Sequence, residues 1–325
     1  MRPQLSSLMT EEKAENIHQS VLLGETLRLL NPQPGEIFVD ATLGLGGHTQ
    51  AILEAAEDIR VTGIDQDLEA IGFAKRRLDK FGERIEMYHA NFAEIRDVLA
   101  AAKIEKVDGI LADLGVSSLQ FDSGERGFSF RFDAPLDMRM NADSDNETAA
   151  ELLENLSEEE IADLIYKYGE ERGSRKIARR IVWKRKIGEP VKTTKELAET
   201  VEKAVGRSKK DKIHPATRTF QALRIAVNRE LEILEKFITD SVDILKKDGR
   251  LAVITFHSLE DRIVKQTLQK LAGKCSCPPR LPQCICGAKK QIEILTRKPI
   301  APDETEIAEN PRARSAKLRV CLKLD

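Results

Sequence analysis

The sequence predicts an α/β fold: a mostly parallel sheet of seven strands, finished by an antiparallel terminal pair and interrupted by a helical insert. Three observations carry this. Short β-rich runs alternate with helical segments as far as Gly115. A long stretch of helical pattern then replaces the alternation. The alternation returns before two final β-rich runs that have no helical period between them.

The first strand is read at IFVDAT (37–42), followed by a glycine turn and the helical HTQAILEAA. VTGID (61–65) precedes LEAIGFAKRRLDKFG, whose apolar residues recur at helical spacing, and IEMYHA (85–90) precedes FAEIRDVLAAAK. VDGILADLG (107–115) is the fourth strand and ends in a turn. These strands are nearly continuously apolar, as strands of a parallel sheet covered on both faces must be. Residues 120–145 are rich in Gly, Asp and Phe and have no clean period. Helical pattern then runs from ETAAELLENL through EEEIADLIYKYG to TKELAETVEKAVG. One long helix is expected over TFQALRIAVNRELEILEKFITDSVDIL, then a strand in KDGRLAVITFHS (247–258) and a helix in LEDRIVKQTLQKL. QIEILT (291–296) and KLRVCLKL (317–324) are the last strands, expected to pair antiparallel. The domain reading is a flexible tail at 1–17, an α/β domain at 18–140 and 213–325, and an inserted helical domain at 141–212.

Of 325 residues, 41% are hydrophobic and 33% charged, a soluble globular composition. No apolar run approaches the roughly 18 residues needed to span a bilayer. The first residues, MRPQLSSLMTEEKAEN, lack the apolar core of a secretory signal, so a cytoplasmic location and no membrane partner are expected. The net charge of −2 excludes nucleic-acid binding through a globally basic field. Positive charge is instead local: RGSRKIARRIVWKRK (172–186) is basic, while 143–160 is acidic. Such asymmetry points to a polyanionic partner, against the plainer reading of a solvated helix. Four of the five cysteines crowd into 275–286, which is no secreted disulfide framework. Cys275, Cys277, Cys284 and Cys286 form a C-x-C…C-x-C set whose four thiolates suit tetrahedral zinc, although the spacing is tighter than usual and a reduced surface cluster is the alternative.

Asp40-Ala-Thr-Leu-Gly44-Leu-Gly46-Gly47-His48 follows the first strand and opens a helix. Glycine serves where φ is positive or the backbone must approach a ligand, and the helix N-terminus suits an anionic group. A dinucleotide would want a third glycine where Thr49 stands. Asp65, at the end of the second strand, is placed to hold ribose hydroxyls, with a helix cap as its alternative role. Asn91-Phe92 follows the third strand and Asp113 the fourth, so an aromatic ring that can flank adenine and several polar groups share one sheet edge.

The strings HQSVLL (18–23), DATLGLGGHT (40–49), DLGVSSLQ (113–120), ERGFSF (125–130), PLDMRM (135–140), YGEER (168–172), HPATRTFQALRIAVN (214–228), FHSLEDRIVK (256–265) and ENPRARSAKLR (309–319) resemble the bacterial RsmH family, also called MraW. The resemblance runs from His18 almost to the end of the chain, in family order. It implies a class I S-adenosylmethionine-dependent methyltransferase, Rossmann-like, that methylates the N4 amine of a cytosine in the decoding region of 16S rRNA within the small ribosomal subunit. It implies cofactor contacts at Gly46, Gly47, His48, Asp65, Phe92, Asp113 and Gln120. Asp113, and Asp137 behind it, are the expected acceptors near the reacting amine. DLGVSS (113–118) departs from the D/N/S-P-P-Y motif of amino-methyltransferases, which leaves that acceptor open between them. Carbon methylation through a covalent cysteine is disfavoured because no Cys precedes 275.

The RNA is expected on the basic face of the insert (Arg172, Arg175, Lys176, Arg179, Arg180, Lys184, Arg185, Lys186), extended by Lys209, Lys210, Lys212, Arg312, Arg314 and Arg319. His214 and His257 are candidates for proton transfer or for structure. DNA is not expected as a partner, and a homodimer is among the assembly states the sequence allows. Two rivals stand beside this reading: a nicotinamide-dependent oxidoreductase and a non-catalytic rRNA-binding assembly factor.

Overall fold

The structure is a computed structural model that describes residues 20–115, 124–207, 213–275, 277 and 287–325. These divide into two compact units, one within 1–118 and 237–325, the other within 119–236.

The first unit holds a seven-stranded sheet: β1 (Ile37–Asp40), β2 (Arg60–Asp65), β3 (Ile85–His89), β4 (Val107–Asp113), β5 (Leu245–Thr255), β6 (Ile292–Ile294) and β7 (Lys317–Lys323). The strand order is β3-β2-β1-β4-β5-β7-β6. The first five strands run parallel, with Asp40 opposite Gly63 and Asp113 opposite Ile254, while β7 runs antiparallel to β5 and β6 antiparallel to β7. Phe38, Leu111, Ala252, Ile254, Leu318 and Val320 from one face share a core with Leu30 of α1 (Leu23–Leu30) and Ile52 and Leu53 of α2 (Gly47–Ala55). Val39, Ile110 and Val253, which alternate with them, are buried too. This two-sided burial is why the strands read as continuous apolar runs.

Helices α3 (Leu68–Leu78) and α4 (Ile95–Ala101) connect β2 to β3 and β3 to β4. Among the described residues, the second unit contains α5 (Ala149–Asn155), α6 (Glu158–Gly169), α7 (Ser174–Lys186), α8 (Thr194–Val205) and α9 (Ala216–Asn228). Ser157 and Thr193 start α6 and α8 with capping boxes, each hydroxyl accepting from a backbone N–H while a glutamate returns the bond. Back in the first unit, α10 (Leu234–Ile244) leads into β5, and α11 (Ser258–Leu271) follows it.

Three features differ from the expectation. The long helix expected over 219–245 is two helices, α9 and α10. Arg229 between them has φ 51, a left-handed conformation that ends a helix, and Glu230 is held by a two-pronged bond from Arg224. The connection from β6 to β7 contains two short helical turns, α12 (Glu304–Glu309) and a 3₁₀ turn at Pro311–Ser315. The compact units also meet at 118/119 and 236/237 rather than at 140/141 and 212/213. Phe128, Leu136, Met138 and Met140 are buried, and Asn228 of α9 bonds the backbone of Met138 and Met140, which ties 124–140 to the helical unit.

Candidate active site

The carboxyl ends of β1, β2, β3 and β4 bring the candidate residues together in the first unit. The loop after β1 turns at Gly46, whose φ of 78 puts it in the left-handed region and whose added Cβ would lie 2.9 Å from Leu78. At Gly47 an added Cβ would lie 2.2 Å from the Ser20 hydroxyl, so the start of α2 is pressed onto buried Ser20. The N-cap of α2 is Gly46, which has no side chain to cap it, and its first turn carries no acidic residue, so its dipole is left to other negative charge.

Asp65 is half-buried, and both of its carboxylate oxygens accept backbone N–H groups, from Gly44 at 2.7 Å and from Asp67 at 2.9 Å. Burial nevertheless pushes its carboxyl up from 3.8 to about 6. The alternative of a helix cap falls to Asp67, whose side chain accepts from Glu69 at the start of α3. Asp65 therefore keeps lone pairs for hydroxyl donors.

Asp40 is fully buried at the end of β1, and burial raises its carboxyl although it accepts from the Thr49 hydroxyl (2.7 Å) and the Thr42 N–H (3.2 Å). The first of these bonds explains Thr49 where a dinucleotide motif has its third glycine: the hydroxyl supports a buried acid. Thr42 also accepts from the N–H of Asp113 at 2.6 Å, fixing the end of β4 to the glycine loop. His48 Nε2 lies 3.6 Å from Asp113 Oδ2. Among the described residues, neither His48 Nε2 nor Asp113 Oδ1 has a hydrogen-bond partner, although both are buried. Buried polar atoms of this kind call for a partner, which a ligand at this edge would supply.

Phe92 opens a short 3₁₀ turn (Phe92–Glu94) capped by Asn91, and its ring meets Phe237 of α10 edge-on, centroids 5.1 Å apart. The ring is held edge-on from one side and is only partly buried. Asn91 spends its side chain on that cap and on Gln66. Gln120 lies outside the described residues. Sequence reasoning named Thr49 only as the residue that breaks a dinucleotide motif and gave no role to Thr42, Ser20 or Phe237; Thr42 stands inside the DATLGLGGHT string and Ser20 inside HQSVLL.

The other candidates are placed as follows. Asp137, in the helical unit, accepts from Arg139 with both oxygens, at 2.8 and 2.9 Å, and its carboxyl lies below the usual range; burial opposes that lowering, and the bonds from Arg139 outweigh it. His257 caps α11 and stands 3.1 Å from Glu260. His214 accepts from the Ala216 N–H and stacks on Phe130 at 4.7 Å, and burial lowers its pKa. Arg172, Arg175, Lys176, Arg179 and Lys186 are exposed. Arg185 instead donates to the carbonyls of Leu153, Glu154 and Leu156 at the end of α5, and Arg319 is buried against Asp261. These two guanidiniums are structural, which removes them from the expected RNA face. The Cys277 N–H donates to Cys275 Sγ at 3.4 Å; Cys284, Cys286, Lys209, Lys210 and Lys212 lie outside the described residues. Among the described residues, no helix is long and apolar enough to cross a membrane.

The strand order, the reversed β7 and the polar row along the carboxyl edge define the class I fold of S-adenosylmethionine-dependent methyltransferases. The model of the MraW methylase family matches residues 15–324, and the chain belongs to that family. A protein of Syntrophotalea carbinolica named ribosomal RNA small subunit methyltransferase H is 53% identical over 94% of this chain and 98% of its own length. One of the same name from Clostridium botulinum is 52% identical over 94% of this chain and 99% of its own. The solved structure of an rRNA methylase from Streptococcus thermophilus aligns over 91% of this chain and 92% of that one, with 12% identity and a TM-score of 0.41.

Proposed function

We propose that this chain methylates the N4 amine of a cytosine in the decoding region of 16S rRNA, using S-adenosylmethionine. The observation that carries the site is the buried pair His48 Nε2 and Asp113 Oδ1, neither hydrogen-bonded among the described residues, beside a carboxylate that keeps room for a sugar. The name borne by relatives more than half identical over nearly the full length supports the RNA substrate.

In this reading Asp65 accepts the ribose hydroxyls, Phe92 flanks the adenine, and Gly46, Gly47 and His48 face the amino-acid end from the start of α2. Gln120 completes the set by family resemblance. When bound, the cofactor would supply an electrophilic methyl carbon on a sulfonium, with a neutral thioether as the leaving group; the residues above would hold it. A cytosine amine is a weak nucleophile because its lone pair is delocalised into the ring. Asp113 Oδ1 is the acceptor for the proton that the nitrogen loses. Asp137, already engaged twice by Arg139, ranks behind it. Holding amine and methyl in line can supply up to about 7–11 kcal/mol of the barrier in favourable intramolecular cases. The target base must leave its stack, at a cost of a few kcal/mol. The exposed cations of α7 supply phosphate contacts for that RNA.

The test is to incubate unmodified small subunits with labelled S-adenosylmethionine and map the modified nucleotide. N4-methylcytosine in the decoding region is expected. Methylation of another atom or region would overturn the assignment, and an absence of methyl transfer would favour an assembly factor. Near-normal turnover of Asp113→Asn at saturating cofactor would remove Asp113 as the essential acceptor. We also propose structural zinc on Cys275, Cys277, Cys284 and Cys286; metal analysis of protein purified without added zinc should find about one ion per chain.

A further inference from the structure

The helical unit exposes its largest apolar side chain in the middle of its most basic helix. Trp183 of α7 is 51% exposed, and it is the sole tryptophan of the chain. The buried side of α7 is formed by Ile177, Ala178, Ile181 and Val182, so the helix is already anchored without it. On the solvent side Lys176, Arg179, Trp183 and Lys186 recur at intervals of three and four, which places them along one face. The Arg180 guanidinium lies 5.7 Å from the indole centroid. Arg179 stands 3.6 Å from Glu158, but both groups are exposed and such a pair exchanges at little cost.

An indole left in water within a row of cations is a poor protein core and a good nucleic-acid platform. Every base has a π face, so an aromatic ring gains by stacking on an unpaired base while neighbouring cations hold the flanking phosphates. In a regular duplex the bases are already stacked on one another and offer no such face, so the arrangement selects unpaired RNA. We propose that Trp183 is a base-stacking platform for single-stranded RNA, with Lys176, Arg179, Arg180 and Lys186 contacting the phosphates on either side. This rests on the reading of the chain as an rRNA methyltransferase and adds to it a recognition element in the helical unit.

The single tryptophan makes the test direct. Full-length protein is titrated with an unstructured RNA oligonucleotide and with a duplex of equal length, following indole fluorescence and the anisotropy of labelled RNA. Quenching by the single strand is expected, with weak quenching by the duplex. Trp183→Ala should weaken single-strand binding about 5- to 150-fold, the range of base–aromatic stacking. Trp183→Phe should restore much of the affinity and Trp183→Leu should not, with all three variants melting as the parent does.

Single-strand affinity unchanged in Trp183→Ala, or equal in the Phe and Leu variants, overturns the proposal. So does a defect confined to methylation of assembled subunits with RNA affinity intact, which would assign Trp183 to a protein surface. Binding is read separately from methyl transfer: if the parent methylates subunits but its indole never responds to RNA, the stacking proposal fails alone. If neither occurs, the rRNA reading fails with it.

Discussion

In the proposed site, Asp65 would link cofactor binding to pH in a way that can be worked from its surroundings. Burial raises its carboxyl from 3.8 to about 6, so the folded chain holds that proton more tightly than the unfolded chain does. Between those two values folding takes up a proton. Stability from this group is therefore greatest at low pH, falls as pH rises from about 4 to about 6, and is level above. The ionised form costs the folded state about 3 kcal/mol at neutral pH, since each tenfold gain in proton affinity is worth about 1.4 kcal/mol. Two ribose hydroxyls donating to Asp65 favour the carboxylate, so binding through the sugar releases that proton at low pH. With a pKa of about 6, roughly one molecule in eleven is ionised at pH 5 and nearly all at pH 7.5.

S-adenosylhomocysteine should accordingly bind about 10-fold more weakly at pH 5 than at pH 7.5. Calorimetry in two buffers of different ionisation enthalpy should count close to one proton released per ligand at pH 5. Asp65→Asn loses the charge and one acceptor. Its affinity at pH 7.5 should drop about 10- to 150-fold, the worth of one charge-assisted bond, and its proton release should vanish. Affinity flat from pH 5 to 7.5 in the parent, or unchanged in Asp65→Asn, would refute the assignment of the sugar to this carboxylate.

Two further substitutions test the scaffold. Arg185→Ala removes the donor to three carbonyls at the end of α5 and should lower stability by about 1–3 kcal/mol in denaturant unfolding. It should leave the salt dependence of RNA binding unchanged, whereas Arg175→Ala should reduce that slope by about one. Gly109→Ala places a Cβ 2.2 Å from the buried Phe38 ring between neighbouring strands, an overpacking that should cost about 1–3 kcal/mol. Adding Phe38→Leu to it should recover part of the loss.

The central strands were legible because they carry their own signal: Phe38-Val39, Ile64, Ile110-Leu111 and Val253-Ile254 of β1, β2, β4 and β5 are buried, whereas β3 has no fully buried residue and was placed by the strand–helix alternation. The terminal antiparallel pair was expected from a connection with no helical pattern; the pairing is as expected, although that connection holds the six-residue α12 and a 3₁₀ turn. The break at Arg229 was hidden because the apolar period runs through 219–245 without a glycine or proline to interrupt it. What ends α9 is a left-handed arginine beside a local ion pair, Arg224 to Glu230, and neither residue type is a helix breaker. The edge of the helical unit was hidden for another reason: Phe128, Leu136, Met138 and Met140 are buried from an aperiodic segment, where no pattern marks the inward side. Within the site, His48, the second residue of α2, stood out only through the family resemblance, whereas the positions of Asp65 and Asp113 were legible as strand ends. The hydroxyls of Thr42 and Thr49 were not, since a small polar residue in a loop carries no mark of what it bonds. Charge was equally mute about Arg185, which differs from Arg175 only in what its guanidinium reaches.

The electrostatics of the sheet edge argue for the kind of ligand it takes. Asp40, Asp65 and Asp113 end three neighbouring strands. Beyond the effect of burial, the proximity of Asp113 raises the carboxyl of Asp40, as that of Asp40 raises Asp65. A stable fold gains nothing from three acids in one buried row; natural sequences break the rules of packing where function requires it. His48 offsets part of the charge at Asp40, and the uncapped start of α2 offers a partial positive charge on the same edge. A ligand that brings a sugar diol to Asp65 and positive charge toward the remaining acids relieves both the desolvation and the repulsion. A nicotinamide dinucleotide brings a pyrophosphate instead, and would set two further negative charges beside the same row. In the site proposed above, the acids that burden the fold are thus the ones that would favour a cationic adenosyl cofactor over a dinucleotide.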